Sequence, residues 1–370
     1  MATIKKPGVL ILTPFFSPNI GGVETYLSDL IDISTKNKLK TVVVTYTPLT
    51  TNAKTKFHVK TKYNKIFRIP HFGHNLFHKL EKYPLLNLIY LTPYLLIVSI
   101  IISFKYRKSK NIIHAHGLNS AIIGYILKSI YKWPLIVNIY STYDNVNFSG
   151  FFYKIICQIL NKSDKILTQS NQSILQLKKW GVNPNIIDRY YHWVDLNRFK
   201  PAKRKPNDKL NFLFIARLIH QKGVNIIVKL AKLFPLYQFN IVGNGPQYHY
   251  LLSLKLNNLK TFGDIPYSKL HTIYQQNDIL LFPSLYAEGW GRTAMEAVAC
   301  GLPVLGSNLG AIPENLSPKV SILFKPTIKN FQKNIKKVIL LKKNCRTYAL
   351  NNFSTKNFNS LLNLYKSLQN

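Results

Sequence analysis

Two glutamates eight positions apart, Glu288 and Glu296, flank a glycine-rich turn in Glu288-Gly289-Trp290-Gly291-Arg292-Thr293-Ala294-Met295-Glu296. Carboxylates accept paired hydrogen bonds from vicinal hydroxyls such as those of a ribose or a hexose. Gly289 and Gly291 leave backbone amides open at what reads as a helix start, where the helix dipole favours anions. Upstream, the strand-like run 210–216 delivers Arg217, and Lys222-Gly223 follows at another helix start. A guanidinium, an ammonium and a helix N-terminus together make a diphosphate clamp. Sugar binders beside phosphate binders describe a site for a sugar nucleotide. The chain has only five glutamates, so a pair at this spacing stands out.

Two weaker constellations lie nearer the N-terminus. A loop after the first apolar run ends in Gly21-Gly22-Val23-Glu24 and opens a helix. It fits either anion approach or a plain strand-to-helix turn. Its spacing is not G-x-G-x-x-G, so a nicotinamide dinucleotide is not specifically indicated. His114-Ala115-His116 closes another strand-like run, and residues two apart on a strand point the same way. A metal pair would need a third ligand cluster, and the sequence offers none. The better reading has one histidine lining a cleft and the other packed.

These groups need a scaffold, and the composition supports one. The 370 residues, 46% hydrophobic, suffice for two folded cores and exclude wholesale disorder. Three scattered cysteines support neither a disulfide scaffold nor a zinc ribbon and fit a reducing compartment. The formal charge of +36 divides almost evenly, +17 through Asp195 and +19 beyond. No zinc finger, basic zipper or RNP-like cluster accompanies it, so nucleic acid is not an expected partner. An anionic membrane surface or an anionic small substrate remains.

Apolar runs at 9–12, 41–45, 112–114, 135–139, 165–169, 210–216, 238–242, 279–282, 303–306 and 320–324 read as buried strands. Helical stretches such as 224–234 and 293–300 lie between them, so the fold class is α/β with parallel sheets covered on both faces. The polar, twice-proline stretch 197–208 reads as a linker. We expect two Rossmann-like doubly wound domains, 1–195 and 196–350, facing an interdomain cleft, with a helix in 351–370 returning to the first. The run 85–104 is long enough for a bilayer, but Pro93 predicts two shorter buried or interfacial helices with snorkelling lysines at their ends.

In this order the motifs resemble glycosyltransferase family 4, retaining enzymes of the GT-B fold, over essentially the whole chain. The E-x7-E pattern matches Glu288 and Glu296, and the phosphate pair matches Arg217 and Lys222. Val242-Gly243-Asn244-Gly245-Pro246 matches the family's glycine-rich turn, and Gly21-Gly22-Val23-Glu24 its N-terminal loop. His114-Ala115-His116 matches its histidine motif, and Gly310-Ala311-Ile312-Pro313-Glu314 its last turn. The resemblance implies that Glu296 binds the donor ribose and Glu288 the hexose hydroxyls. Arg217 and Lys222 would hold the diphosphate with the amides of Gly289, Trp290 and Gly291. By the same resemblance Gly22 and Gly243 approach the donor, His116 faces the sugar, and Glu24 serves the acceptor side or caps its helix. Ala311 departs from a second glycine common in the last turn, and Trp290 and Arg292 occupy variable places.

The implied reaction is hexosyl transfer with retention, with His116, Arg217, Lys222 and Glu288 as the catalytic set. No D-x-D motif occurs, so neither a metal nor another cofactor is expected. Expected partners are a nucleotide sugar, a glycan or lipid-linked acceptor, and an anionic membrane surface. The setting would be cytoplasmic, peripheral on the inner face, in polysaccharide or glycolipid synthesis. Substituting Glu296 or Lys222 is expected to abolish transfer with little change in thermal midpoint. The alternatives are a non-catalytic sugar-nucleotide or polysaccharide binder on the same fold, or a phosphate-binding isomerase or phosphorylase of related architecture.

Overall fold

The computed structural model describes residues 8–51, 53–73, 76–80, 83–140, 150–203 and 209–369. Part of the expected linker, 204–208, lies outside them, as do Glu81 and Lys82. The chain forms two compact units, residues 1–190 with 358–370, and 191–357.

In the first unit eight strands form one sheet: β1 (Gly8–Leu12), β2 (Lys40–Tyr46), β3 (His58–Lys60), β4 (Asn64–Ile69), β5 (Asn111–His116), β6 (Leu135–Ile139), β7 (Lys165–Thr168) and β8 (Ile187–Arg189). Their order is β3-β4-β2-β1-β5-β6-β7-β8. All pairs are parallel except β3 with β4. Strands β1, β5 and β6 are central and almost wholly buried, β5 and β6 with Asn111, His114, His116 and Asn138 among their apolar residues. The missed strands, β3, β4 and β8, are short or half-exposed, and their polar residues mask a strand pattern.

The second unit has six strands, all parallel: β9 (Asn211–Ile215), β10 (Gln238–Val242), β11 (Leu259–Thr261), β12 (Ile279–Phe282), β13 (Val304–Ser307) and β14 (Ser321–Phe324). The order is β11-β10-β9-β12-β13-β14. Alternate residues feed two cores. Leu213, Val242 and Leu280 pack with the helices Arg292–Ala299 and Lys342–Asn352. Phe212, Ile241 and Leu281 pack with the helices Val224–Leu233 and Ile328–Val338. The period-two alternation of a strand thus produces a sheet covered on both sides. Phe199 is fully buried in the first of these cores. Arg346 fastens the chain there, donating to the carbonyls of Leu196, Phe199 and Ala299 at 2.8–3.1 Å. The start of the stretch read as a linker is therefore docked chain.

The expectation of two helices around Pro93 is corrected: one helix runs Pro84–Lys105. Pro93 lies on its exposed side, where the missing donor deprives only the solvent-side Ile89 carbonyl of its helical partner. By length and composition alone this helix could cross a membrane.

Candidate functional site

Three loops leaving the carboxyl ends of β9, β10 and β12 converge in the second unit, and backbone contacts fix them to one another. The amide of Leu218, beside Arg217, donates to Asn244 O at 2.8 Å, and that of Leu285 donates to Gln221 O at 2.8 Å. Gly243 has a φ of 122°, and a Cβ there would sit 2.0 Å from Ala216 O. Only glycine lets the two loops meet this closely. Gly223, at φ 79°, caps the helix Val224–Leu233 and would otherwise strike Pro283 O. The fourth piece is the turn at Gly310-Ala311, where the Ala311 amide donates to Glu288 O at 2.9 Å.

This frame brings Lys222 and Glu288 together. The Lys222 Nζ lies 2.6 Å from Glu288 Oε1, with both side chains largely buried. Burial would lower the lysine's pKa, but the Glu288 charge and then Tyr286 more than offset it and raise the net value. Ser284 donates its hydroxyl to the same Oε1, and Tyr286 OH lies 3.5 Å from Oε2. Lys222 also sits 4.9 Å over the Tyr286 ring. Arg217 is exposed, and its charge is felt at Tyr286. Gly291, left-handed at φ 74°, caps the helix Arg292–Ala299, so the amides of Gly289, Trp290 and Gly291 lead into a helix N-terminus.

Glu296 is set differently. It lies in that helix, 2% exposed, and accepts from Arg292 Nε at 3.0 Å, Tyr267 OH at 3.1 Å and Tyr274 OH at 2.9 Å. Arg292 Nη2 also donates to Tyr267 OH at 2.8 Å. Burial, then the Glu296 charge, holds the Tyr274 hydroxyl well above its ordinary pKa. A carboxylate offers about four acceptor sites. A grip on two ribose hydroxyls therefore displaces at least one of these three donors. Sequence reading missed Tyr267, Tyr274 and the role of Arg292. The available signal was the four-residue spacing of Arg292 and Glu296 on a helix.

Trp290 is buried against Tyr191 and His192, with ring centroids 6.2 and 5.4 Å away. Among the described residues its indole N–H finds no acceptor. Burial, then the Arg292 charge, pushes the His192 pKa well below its ordinary value.

The remaining candidates are in the first unit. Gly22 is exposed, with open space where a Cβ would stand. The Glu24 carboxylate folds back over Gly21 at the start of the helix Gly22–Lys36 and is nearly buried. Both histidines of β5 are buried, their rings 4.2 Å apart. His114 Nε2 faces Asn138 Oδ1 at 2.9 Å and so carries the proton, leaving Nδ1 to accept from Tyr365 OH at 2.6 Å. Burial, against a smaller opposing effect of Asn138, lowers the His114 pKa to about 4. His116 stacks on Tyr140 and hydrogen-bonds its hydroxyl through Nδ1. Among the described residues no group of three potential ligands could hold a metal ion.

Residues 195–354 match the model of the family described as glycosyl transferases group 1. That span holds Arg217, Lys222, Gly243, Glu288 and Glu296 but not Gly22, Glu24 or His116. The chain is 25% identical to a human phosphatidylinositol N-acetylglucosaminyltransferase component, over 90% of its own length and 68% of the relative's. Among solved structures it resembles sucrose-phosphate synthase from Thermosynechococcus elongatus, with a TM-score of 0.77 at 18% identity over 98% of this chain and 99% of that one. It also resembles Anabaena HepE in complex with UDP-glucose, with a TM-score of 0.72 at 18% identity over 97% and 99%. Such likenesses speak for the fold, the two-sheet GT-B architecture.

Proposed function

From the match of residues 195–354 to the glycosyl transferases group 1 model, we propose that the chain is a retaining, metal-independent hexosyltransferase of that family. Its donor is a nucleotide-diphosphate sugar and its acceptor a glycan or lipid-linked glycan, in polysaccharide or glycolipid synthesis at the cytoplasmic side of a membrane. The observation that carries the reading is the Lys222–Glu288 pair, held between two loop ends beside a helix N-terminus. The HepE complex with UDP-glucose and the N-acetylglucosaminyltransferase name of the human relative favour this donor and a lipid acceptor.

Departure of the nucleotide diphosphate concentrates charge on its oxygens. Lys222, together with Arg217, supplies fixed positive charge there, as a metal would elsewhere. The Lys222–Glu288 ion pair is one that a diphosphate can open, because the ammonium exchanges one anion for another. Glu288 then turns its oxygens to the sugar hydroxyls. By the family resemblance the leaving phosphate accepts the acceptor's proton on the same face, unlike the paired-carboxylate chemistry of retaining glycosidases. The roles of Gly22, Glu24 and His116 toward sugar and acceptor come from that resemblance too.

The test is a panel of nucleotide sugars incubated with the protein and acceptor extracts, read by mass spectrometry with and without chelator. One donor is consumed, the product keeps the donor's anomeric configuration, chelator has no effect, and Lys222→Met loses at least ~100-fold in rate, the scale of one oxyanion donor. Loss of transfer on chelation, or full activity in Lys222→Met, would refute the proposal.

A further inference from the structure

The helix Pro84–Lys105 is apolar on its outer face as well as its inner one, against the usual rule for a surface helix. Its outer stripe, Leu86, Ile89, Ile97, Ile101 and Phe104, is apolar and 49% to 58% exposed, with Pro93 exposed between. Its inner side is mixed: Leu91, Leu95 and Ile102 are buried beside Thr92, Ser99 and Ser103, and the two serine hydroxyls find no hydrogen-bond partner among the described residues. A helix whose outer face met only water would carry its polar residues there. At 1.5 Å per residue the stripe runs about 27 Å. Phe72, exposed on a neighbouring loop, widens it, its carbonyl accepting from Tyr90 OH at 2.7 Å.

Charge says what covers this face. Between Asp32 and Asp144 the sequence has 17 lysines and arginines and a single acid, Glu81. Lys105, Arg107, Lys108 and Lys110 are exposed at one end of the stripe, and the Arg107 guanidinium lies 3.7 Å over the Phe104 ring. A second copy of the chain would bring two such basic rims together. An anionic lipid leaflet satisfies both the apolar stripe and the basic rim. Spanning does not fit, because the inner side is tied into the fold. Leu91 and Leu95 are core residues, Leu91 O accepts from Tyr46 OH at 2.8 Å, and Asn119 Nδ2 donates to Thr92 Oγ1 at 3.3 Å.

We propose that the outer face of the helix Pro84–Lys105 is a membrane-docking surface that lies in the plane of an anionic leaflet, its isoleucines among the acyl chains and its basic end at the headgroups. This goes beyond the proposed transfer reaction and does not rest on it.

The test is co-sedimentation of the full chain with vesicles of phosphatidylcholine, with or without phosphatidylglycerol, at low and raised salt. The wild type partitions onto the acidic vesicles and is released by salt. K105Q/K108Q weakens partition about fivefold per lysine. I97Q/I101Q weakens it at least tenfold while leaving the thermal midpoint unchanged, since both side chains already face outward. The proposal is overturned if the wild type does not bind acidic vesicles or if I97Q/I101Q binds as well as the wild type. It is equally overturned if the wild type is a dimer that I97Q/I101Q dissociates without any vesicle binding, which would make a second copy the occupant. No donor or acceptor is present, so failure here leaves the transferase reading untouched, and failure of the donor panel leaves this one.

Discussion

Replacing Glu296 by alanine should destabilise the second unit strongly, which confounds any reading of a ribose contact. The substitution leaves the Arg292 guanidinium, 8% exposed, without its 3.0 Å partner, and removes the acceptor of two tyrosine hydroxyls. Removing one member of a buried ion pair costs ~3–5 kcal/mol, because a charge is stranded. At ~2–4 °C per kcal/mol for a domain of this size, the midpoint falls by roughly 6–20 °C. The expectation of an unchanged midpoint is therefore revised. R292M/E296M removes both charges at similar volume and recovers most of the loss, since apolar replacement of a buried pair is often neutral. Thermal melts of E296A, R292M and the double variant measure the coupling, and donor titration on R292M/E296M then isolates the ribose contact. A midpoint for E296A within ~2 °C of wild type would refute the cage argument. Wild-type donor affinity in a well-folded R292M/E296M would refute the ribose role.

His114 makes stability fall in mild acid. It is neutral in the fold, with a pKa of about 4 against an ordinary 6.5, so the unfolded chain binds its proton first as pH drops. Stability is intact above pH 6.5 and declines towards pH 4, by ~3 kcal/mol in all at ~1.4 kcal/mol per pH unit. His192, also held neutral, adds to the slope. Urea unfolding at several pH values should show a shallower decline in His114→Gln than in wild type, and identical slopes would count against the argument. Gly243→Ala places a Cβ 2.0 Å from Ala216 O in a left-handed backbone. It should cost ~1–3 kcal/mol and lower transfer by moving Arg217, and an unchanged melt and rate would contradict this.

How much of this was readable follows from where each residue sits. Central strands such as β1, β6 and β12 bury both faces and so appear as continuous apolar runs. Strand β11 at the sheet edge is short and partly exposed and carries no such signature. Pro93 misled because the carbonyl it leaves without a helical donor is on the solvent side, where water can take it, and the helix continues through it. The even charge of the two halves concealed a stretch almost without acids, visible only once the apolar stripe of Pro84–Lys105 marked that region.

Glu288 and Glu296 look equivalent in sequence, yet the structure separates them. Glu288 sits on a loop, pinned through its backbone to the Ala311 amide, with its side chain on a lysine that has another anion to serve in the proposed reaction. Glu296 sits on a helix inside a cage of an arginine and two tyrosines, each a neighbour it cannot leave without stranding a buried donor. An ion pair that exchanges partners suits a step in which charge moves. A closed one suits holding two helices, Tyr267–Gln275 and Arg292–Ala299, in register while that step occurs. The spacing E-x7-E thus joins one carboxylate placed to exchange its partner with one that ties the helix after the turn to the helix Tyr267–Gln275.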